Sequence, residues 1–238
     1  MKPTIFFRLI ASSILLFLVS GGIAQSIVSG GISTNVYVEA YNIRGKPFNN
    51  SEATNIEGSP LLNPSWGLGT VYFKDGSVAQ NVELRFNLEK NELYFNREGE
   101  MYVFNDPVSS FRMNYSISAA KNEVYFRSGY PVNGRLSKET FYEVEEDGAK
   151  FQLINYRFIY LADSYQYGGT AKKVFTEKEE LYVFDVAFGK TSKIKRTEAD
   201  VLNALPDLKE KIASIVSKNK LKLKVNEDMK KLFTELNK

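Results

Sequence analysis

The sequence predicts a mainly β protein of the α+β kind: an antiparallel β-meander forming a curved sheet or a sandwich, followed by a short C-terminal helical appendage. Three observations carry this prediction. Short strand-like runs succeed one another from Gly69 to Arg127 with almost no spacer. Asp-Gly pairs, Asp75-Gly76 and Asp147-Gly148, stand between β-rich runs and are strong hairpin signals. At Thr197 the apolar period changes from two to 3.6, which marks the passage from strands to helices.

Within the meander, Val82, Leu84, Phe86 and Leu88 alternate with Glu83, Arg85 and Asn87. Period two sends the apolar set to one face of a half-buried strand. Phe111, Met113, Tyr115 and Ile117 alternate in the same way with Ser110, Arg112, Asn114 and Ser116. The runs Leu93-Tyr94-Phe95, Tyr102-Val103-Phe104 and Val124-Tyr125-Phe126 are apolar at every position, as strands covered on both faces are. A type I′ turn, with positive φ at both central residues, is expected at Asp75-Gly76.

Before the meander, Met1 to about Ala24 has the three regions of a secretory signal peptide. Lys2 and Arg8 lead, Ile10 to Val19 is mostly apolar, and Gly22 and Ala24 sit at the −3 and −1 positions before Gln25. No later run is long and apolar enough for an anchor, and no cysteine is present for lipid attachment. The expected product is exported, periplasmic or extracellular, and not a lipoprotein. Residues 1–24 are then the signal peptide, 25–196 the β domain and 197–238 helices docked on it. Asn35 to Asn42 alternates as a first strand, and Ile43 to Leu68 reads as a long loop that ends at the single tryptophan, Trp66.

After the meander, Arg127 to Lys138 is a turn-rich link, and Thr140 to Glu146 pairs with the long run Lys150 to Leu161. Lys172 to Thr176 and Leu181 to Val186 read as separate strands, and Phe188-Gly189-Lys190 as a turn into Thr191 to Lys195. Thr197 with Asp200 resembles a capping box, and Pro206 suits the first turn of a helix whose stripe is Leu208, Ile212, Ile215 and Val216. Leu221, Leu223 and Val225 alternate with lysines as an extended connector would. Asn226 is the expected cap of a last helix carrying Met229, Leu232, Phe233 and Leu236 at i, i+3, i+4 and i+7.

Composition limits the chemistry. Cysteine and histidine are both absent, which excludes a zinc site built on those ligands, a cysteine nucleophile and a Ser-His-Asp triad. Lys plus Arg number 31 against 28 Asp plus Glu; without Lys2 and Arg8 the balance is 29 against 28. A chain so nearly neutral lacks the basic excess of a nucleic-acid binder. No catalytic residue, cofactor or metal is predicted. The acidic clusters Glu145-Glu146-Asp147 and Glu177, Glu179, Glu180 offer carboxylates for glycoside hydrolysis, or are simply solvated at hairpin ends.

Five residues are candidates for contact with a partner or ligand. Trp66 can stack on a sugar or a partner, or plug the end of the sheet. Lys218, Lys220, Lys222 and Lys224 would project from one face of an extended segment. They can meet lipid head groups or an acidic partner, or protect an edge from aggregation.

The stretches GSPLLNPSW, GTVYFKDGSVAQNVELRFNLEKNELYF and PVSSFRMNY, with the ending DVLNALPDLKEKIASIVSKNKLKLKVNEDMKKL, resemble a family of exported β-rich Bacteroidota proteins. The likeness runs from about Gly58 onward. It implies an envelope location in a Gram-negative cell and carries no catalytic or binding residue with it. The expected function is a non-enzymatic envelope protein that binds another envelope component, a protein or a lipid. The alternatives are a periplasmic carrier holding an apolar ligand such as a lipid in its curved sheet under a helical lid, and a carboxylate-dependent hydrolase.

Overall fold

The computed structural model describes residues 36–48, 56–117, 120–164 and 172–238. The expected signal peptide lies outside them. In chain order the strands are β1 (Tyr37–Val38), β2 (Gly45–Pro47), β3 (Ile56–Glu57), β4 (Gly67–Phe73), β5 (Val78–Asn87), β6 (Glu92–Arg97) and β7 (Glu100–Phe104). There follow β8 (Val108–Ile117), β9 (Ala120–Arg127), β10 (Tyr142–Asp147), β11 (Phe151–Ser164), β12 (Lys172–Asp185) and β13 (Lys190–Ile194). The helices are α1 (Glu198–Ala204), α2 (Lys209–Asn219) and α3 (Asn226–Asn237), with a 3₁₀ turn, Pro206–Leu208, between the first two. The protein is mainly β, as the strand signals predict. No helix among the described residues is long and apolar enough to cross a membrane.

The strands form one sheet of 13, in the order β13-β12-β11-β10-β9-β8-β4-β5-β6-β7-β2, with β1 added in parallel to β5 and β3 to β12. The sheet curls without closing into a barrel. Directly paired residues point to the same face, so one cross-strand row reads Val71, Phe111, Phe126, Glu143, Asn155, Leu181, Ile194. The row is apolar at both ends and polar in the middle.

At the first end Phe86, Phe111 and Phe126 bury their rings completely, with centroids 4.7 Å apart for Phe86–Phe126 and 5.0 Å for Phe111–Phe126. Ile159 of β11 and Phe175 of β12 reach this core because the sheet curls round it; the Ile159 amide donates to Leu88 O at 3.4 Å. At the other end Leu153, Leu181, Val183 and Ile194 pack beneath the three helices. The outer face carries a smaller aromatic group, where Tyr130 and Leu136 of the turn-rich link cover Tyr142, Ile154 and Tyr182.

Phe86 lies on the core face as its alternation predicts, and Leu93, Tyr94 and Phe95 are buried on both faces. Five local expectations are corrected. The strand expected at Asn35 to Asn42 is only Tyr37–Val38, after which a 3₁₀ turn, Ala40–Asn42, swings Ile43 into the core. At Asp75-Gly76 only the glycine has positive φ, +88°; its amide donates to Phe73 O (3.1 Å) and Ser77 O accepts from the Phe73 amide (2.9 Å). Two successive positive φ values occur instead at Glu98-Gly99, between paired Arg97 and Glu100. The two strands expected after residue 172 are one continuous β12, because β11 pairs with it along its whole length and Arg157 neutralises Glu177 in the charged middle.

The connector after α2 is not extended. Lys220 adopts a left-handed conformation (φ 53°), its amide bonds back to Ser217 O at 3.2 Å, and the Leu221 amide reaches Val216 O at 3.0 Å. This is a Schellman stop. Leu221 and Leu223 are buried, and the chain turns through Lys222 to Val225. Asn226 is the first residue of α3, whose cap position is Val225 and has no side-chain cap; the Asn226 carboxamide accepts from Arg196 at 2.6 Å instead. Thr197 does cap α1, accepting from the Asp200 amide at 3.2 Å.

Candidate functional site

The structure does not bring the five sequence candidates together. Trp66 is half-buried on the outer face, where the Arg85 guanidinium lies 4.4 Å above its ring. Lys218 belongs to the last turn of α2, Lys220 stops that helix, and Lys222 and Lys224 lie in the following turn. The four lysines do not share a face of an extended strand, and they guard no sheet edge. The Lys222 backbone amide is used locally, donating to Asp228 at 2.8 Å.

The acidic clusters are redistributed by the pleat. Glu145, Glu177 and Glu179 lie on the inner face, whereas Glu180 faces outward to Lys193 (2.8 Å) and Tyr182 (2.8 Å). On the inner face Asn155 donates to Glu145 (3.2 Å) and Glu179 (2.9 Å), and Arg196 approaches the same two carboxylates at 3.3 and 3.4 Å. Next to them Arg157 holds Glu143 (3.3 Å) and Glu177 (2.6 Å). Burial pushes the Glu143 carboxyl above its ordinary value, although Arg157 opposes the shift. Burial alone would lower Arg157, but Glu143 and Glu177 more than reverse that, so the guanidinium stays charged.

This belt fills the polar middle of the cross-strand row and ties three strands to Arg196 and α3. Its carboxylates are anchored by two cations and an amide, which suits a structural role. A glycosidase acid needs a partner carboxylate across a substrate cleft. Neither of the two pockets described next is lined by these groups.

One pocket of about 400 Å³ lies at the first end of the sheet, with Leu93, Phe104 and Phe141 in its wall and Lys74, Asp106 and Glu139 at its rim. Two of its polar groups are already engaged. Asp106 is paired with Arg44, and the Asn91 carboxamide is bonded in both directions to the Phe141 backbone, at 3.1 and 2.7 Å.

The second pocket, also of about 400 Å³, lies beside β13 under the α1–α2 link. Phe151, Val183, Phe188, Leu205, Pro206 and Leu208 form its apolar wall, and Asp185, Lys190, Ser192 and Asp207 its rim. Pockets of this size take small ligands or a single large side chain. Three local features build it. Asp185 accepts from the Ala187 and Phe188 amides (3.0 and 3.2 Å), and Gly189 takes a φ of +57°, which together fix the hairpin tip. Pro206 in the first turn of the 3₁₀ segment directs Leu205 and Leu208 back toward the sheet. Phe188 itself is 79% exposed, at the mouth of the pocket. That is a large apolar side chain left in water next to an apolar cavity, and it makes this the candidate site.

The sequence pattern marks Phe188 only as a turn residue. The available signal was an aromatic between Ala187 and Gly189, at a position where turns ordinarily carry polar residues. The chain matches no family model, no curated protein and no solved structure.

Proposed function

We propose that this chain is an exported, non-enzymatic protein that binds another component of the cell envelope through the pocket between β13 and the α1–α2 link. The observation that carries this reading is the exposed Phe188 at the mouth of a pocket walled by Leu205, Pro206 and Leu208. Export rests on the signal-peptide pattern of residues 1–24, and predicts a mature N-terminus at Gln25. The carrier reading draws no support from the concave face. The rings of Phe86, Phe111 and Phe126 and the stripe of α3 already fill it with the protein's own side chains.

The test is a photo-reactive phenylalanine analogue placed at residue 188 in the producing cell, with the same analogue at the exposed turn residue Glu98 as control. The reading expects a discrete crosslinked product at 188 that Leu208→Arg abolishes and that is absent at 98. Equal products at both positions, or none at either, would overturn it.

A further inference from the structure

We infer that the free edge of β13 takes up an extended segment of a partner protein as an added strand, with an apolar side chain of that segment in the pocket and an acidic one beside Lys193 and Lys195. The inference rests on the pocket being the binding site and names the chemistry of its occupant.

β13 ends the strand order, and among the described residues its only ladder is with β12. No backbone hydrogen bond described outside the ladders and helices involves residues 190–194. The edge therefore presents a row of amides and carbonyls, which is the template for strand addition. The other end of the sheet is different: β2 is three residues long and includes Pro47, a poor template.

The side chains of β13 alternate in a way that selects the guest. Ile194 enters the core on the inner face, and Lys190 and Ser192 follow on that side, at the rim of the pocket. Thr191 and Lys193 lie on the outer face, where Thr191 Oγ1 accepts from Asn133 (3.2 Å) and Lys193 meets Glu180 (2.8 Å). An added strand has the same period of two. A residue whose side chain drops into the pocket is thus flanked by residues directed to the outer face, beside Lys193 and Lys195.

Charge decides between possible guests. Lys190, Lys193 and Lys195 are all exposed along this edge. A second copy of β13 would bring another Lys190, Lys193 and Lys195 to the same edge, and like charges gathered there are unfavourable. An acidic segment supplies the opposite sign. The expected guest alternates apolar and acidic residues and lacks proline where its amides face β13.

The test uses the purified protein and a displayed library of random nonapeptides. Enriched peptides should share the apolar–acidic alternation. A synthetic copy should lose about tenfold in affinity when N-methylated at alternate backbone positions and change little at the positions between. Phe188→Ala, at an exposed position that folding does not need, should weaken binding, and Lys193→Glu should shift the selected peptides toward basic residues. If Phe188→Ala and Leu208→Arg abolish binding while the N-methyl scan is flat, strand addition is wrong and the pocket stands. If bound peptides ignore both substitutions, the site itself is wrong. Failure to enrich any peptide overturns the inference, as does sedimentation as a dimer whose β13 amides are protected from exchange, since a second copy would then occupy the edge.

Discussion

Asn237, the last residue of α3, occupies the space that a side chain on Gly148 would need: a Cβ there would collide with its carboxamide. The same carboxamide accepts from the Lys150 and Phe151 amides (2.8 and 2.9 Å) and donates to Phe151 O (2.9 Å) and Phe233 O (2.7 Å). The end of the chain is thereby pinned to the β10–β11 hairpin. Gly148→Ala should cost about 1–3 kcal/mol through overpacking. Asn237→Ala relieves the collision, so the double mutant should be less destabilised than the sum of the single ones. Additive denaturation midpoints would show that the two residues are not coupled.

The helix that ends at Asn237 is part of the core. Met229, Leu232, Phe233 and Leu236 are all fully buried. A helix this short is marginal alone in water. Deleting residues 226–238 should remove at least about 5 kcal/mol of stability, given the apolar surface it would expose. A truncated chain that melts like the parent would mean that α3 is a detachable lid.

Phe86 and Arg85 test the register of the clearest strand. Phe86 is 0% exposed and packs on three other phenylalanine rings, so Phe86→Ala should cost about 3–5 kcal/mol. Arg85 on the opposite face stacks on Trp66, and Arg85→Ala should cost about 0.5–1 kcal/mol. Trp66→Ala should make the Arg85 substitution nearly silent. Urea melts of the single and double mutants provide the comparison.

The belt on the inner face depends on Arg196. The Glu145 side chain is 5% exposed, with Arg196 as its cation, whereas Glu179 is 54% exposed and can turn to water. Removing the cation strands a buried carboxylate. Arg196→Met should cost about 3–5 kcal/mol, and adding Glu145→Gln should recover part of it. No recovery would mean that Glu145 is solvated in the folded protein.

Glu143 makes a pH-dependent contribution whose sign follows from its raised carboxyl. The folded state binds this proton more tightly than the unfolded state does. The associated stability is present below the ordinary carboxylate range and is lost as pH rises through the folded value. Glu143→Gln cannot titrate. Its melting temperature relative to the parent should therefore rise as pH increases from the ordinary glutamate value toward neutrality. A difference that is flat or falls over that window would contradict a desolvated Glu143.

What the sequence determined by itself is the part of the molecule governed by local physics. Period-two alternation placed Phe86, Phe111 and Met113 on the core face, a polar N-cap began α1 at Thr197, and the stripe of α3 announced a buried helix. Each of these is decided within a few residues by the pleat or by the helical repeat. The tertiary structure alone decided which strands stand beside one another. Glu143, Asn155 and Leu181 form one row only because β10, β11 and β12 pair in a particular register. Gly148, a hairpin-turn residue by its sequence, is also needed for the approach of Asn237 from 89 positions along the chain, which no local pattern can encode. The pocket beside β13 has the same origin. Phe188 and Leu208 are an ordinary turn residue and an ordinary helix residue until the chain returns over the sheet edge and leaves an apolar space between them. Periodicity specifies which face of an element is apolar, and long-range pairing decides what that face meets.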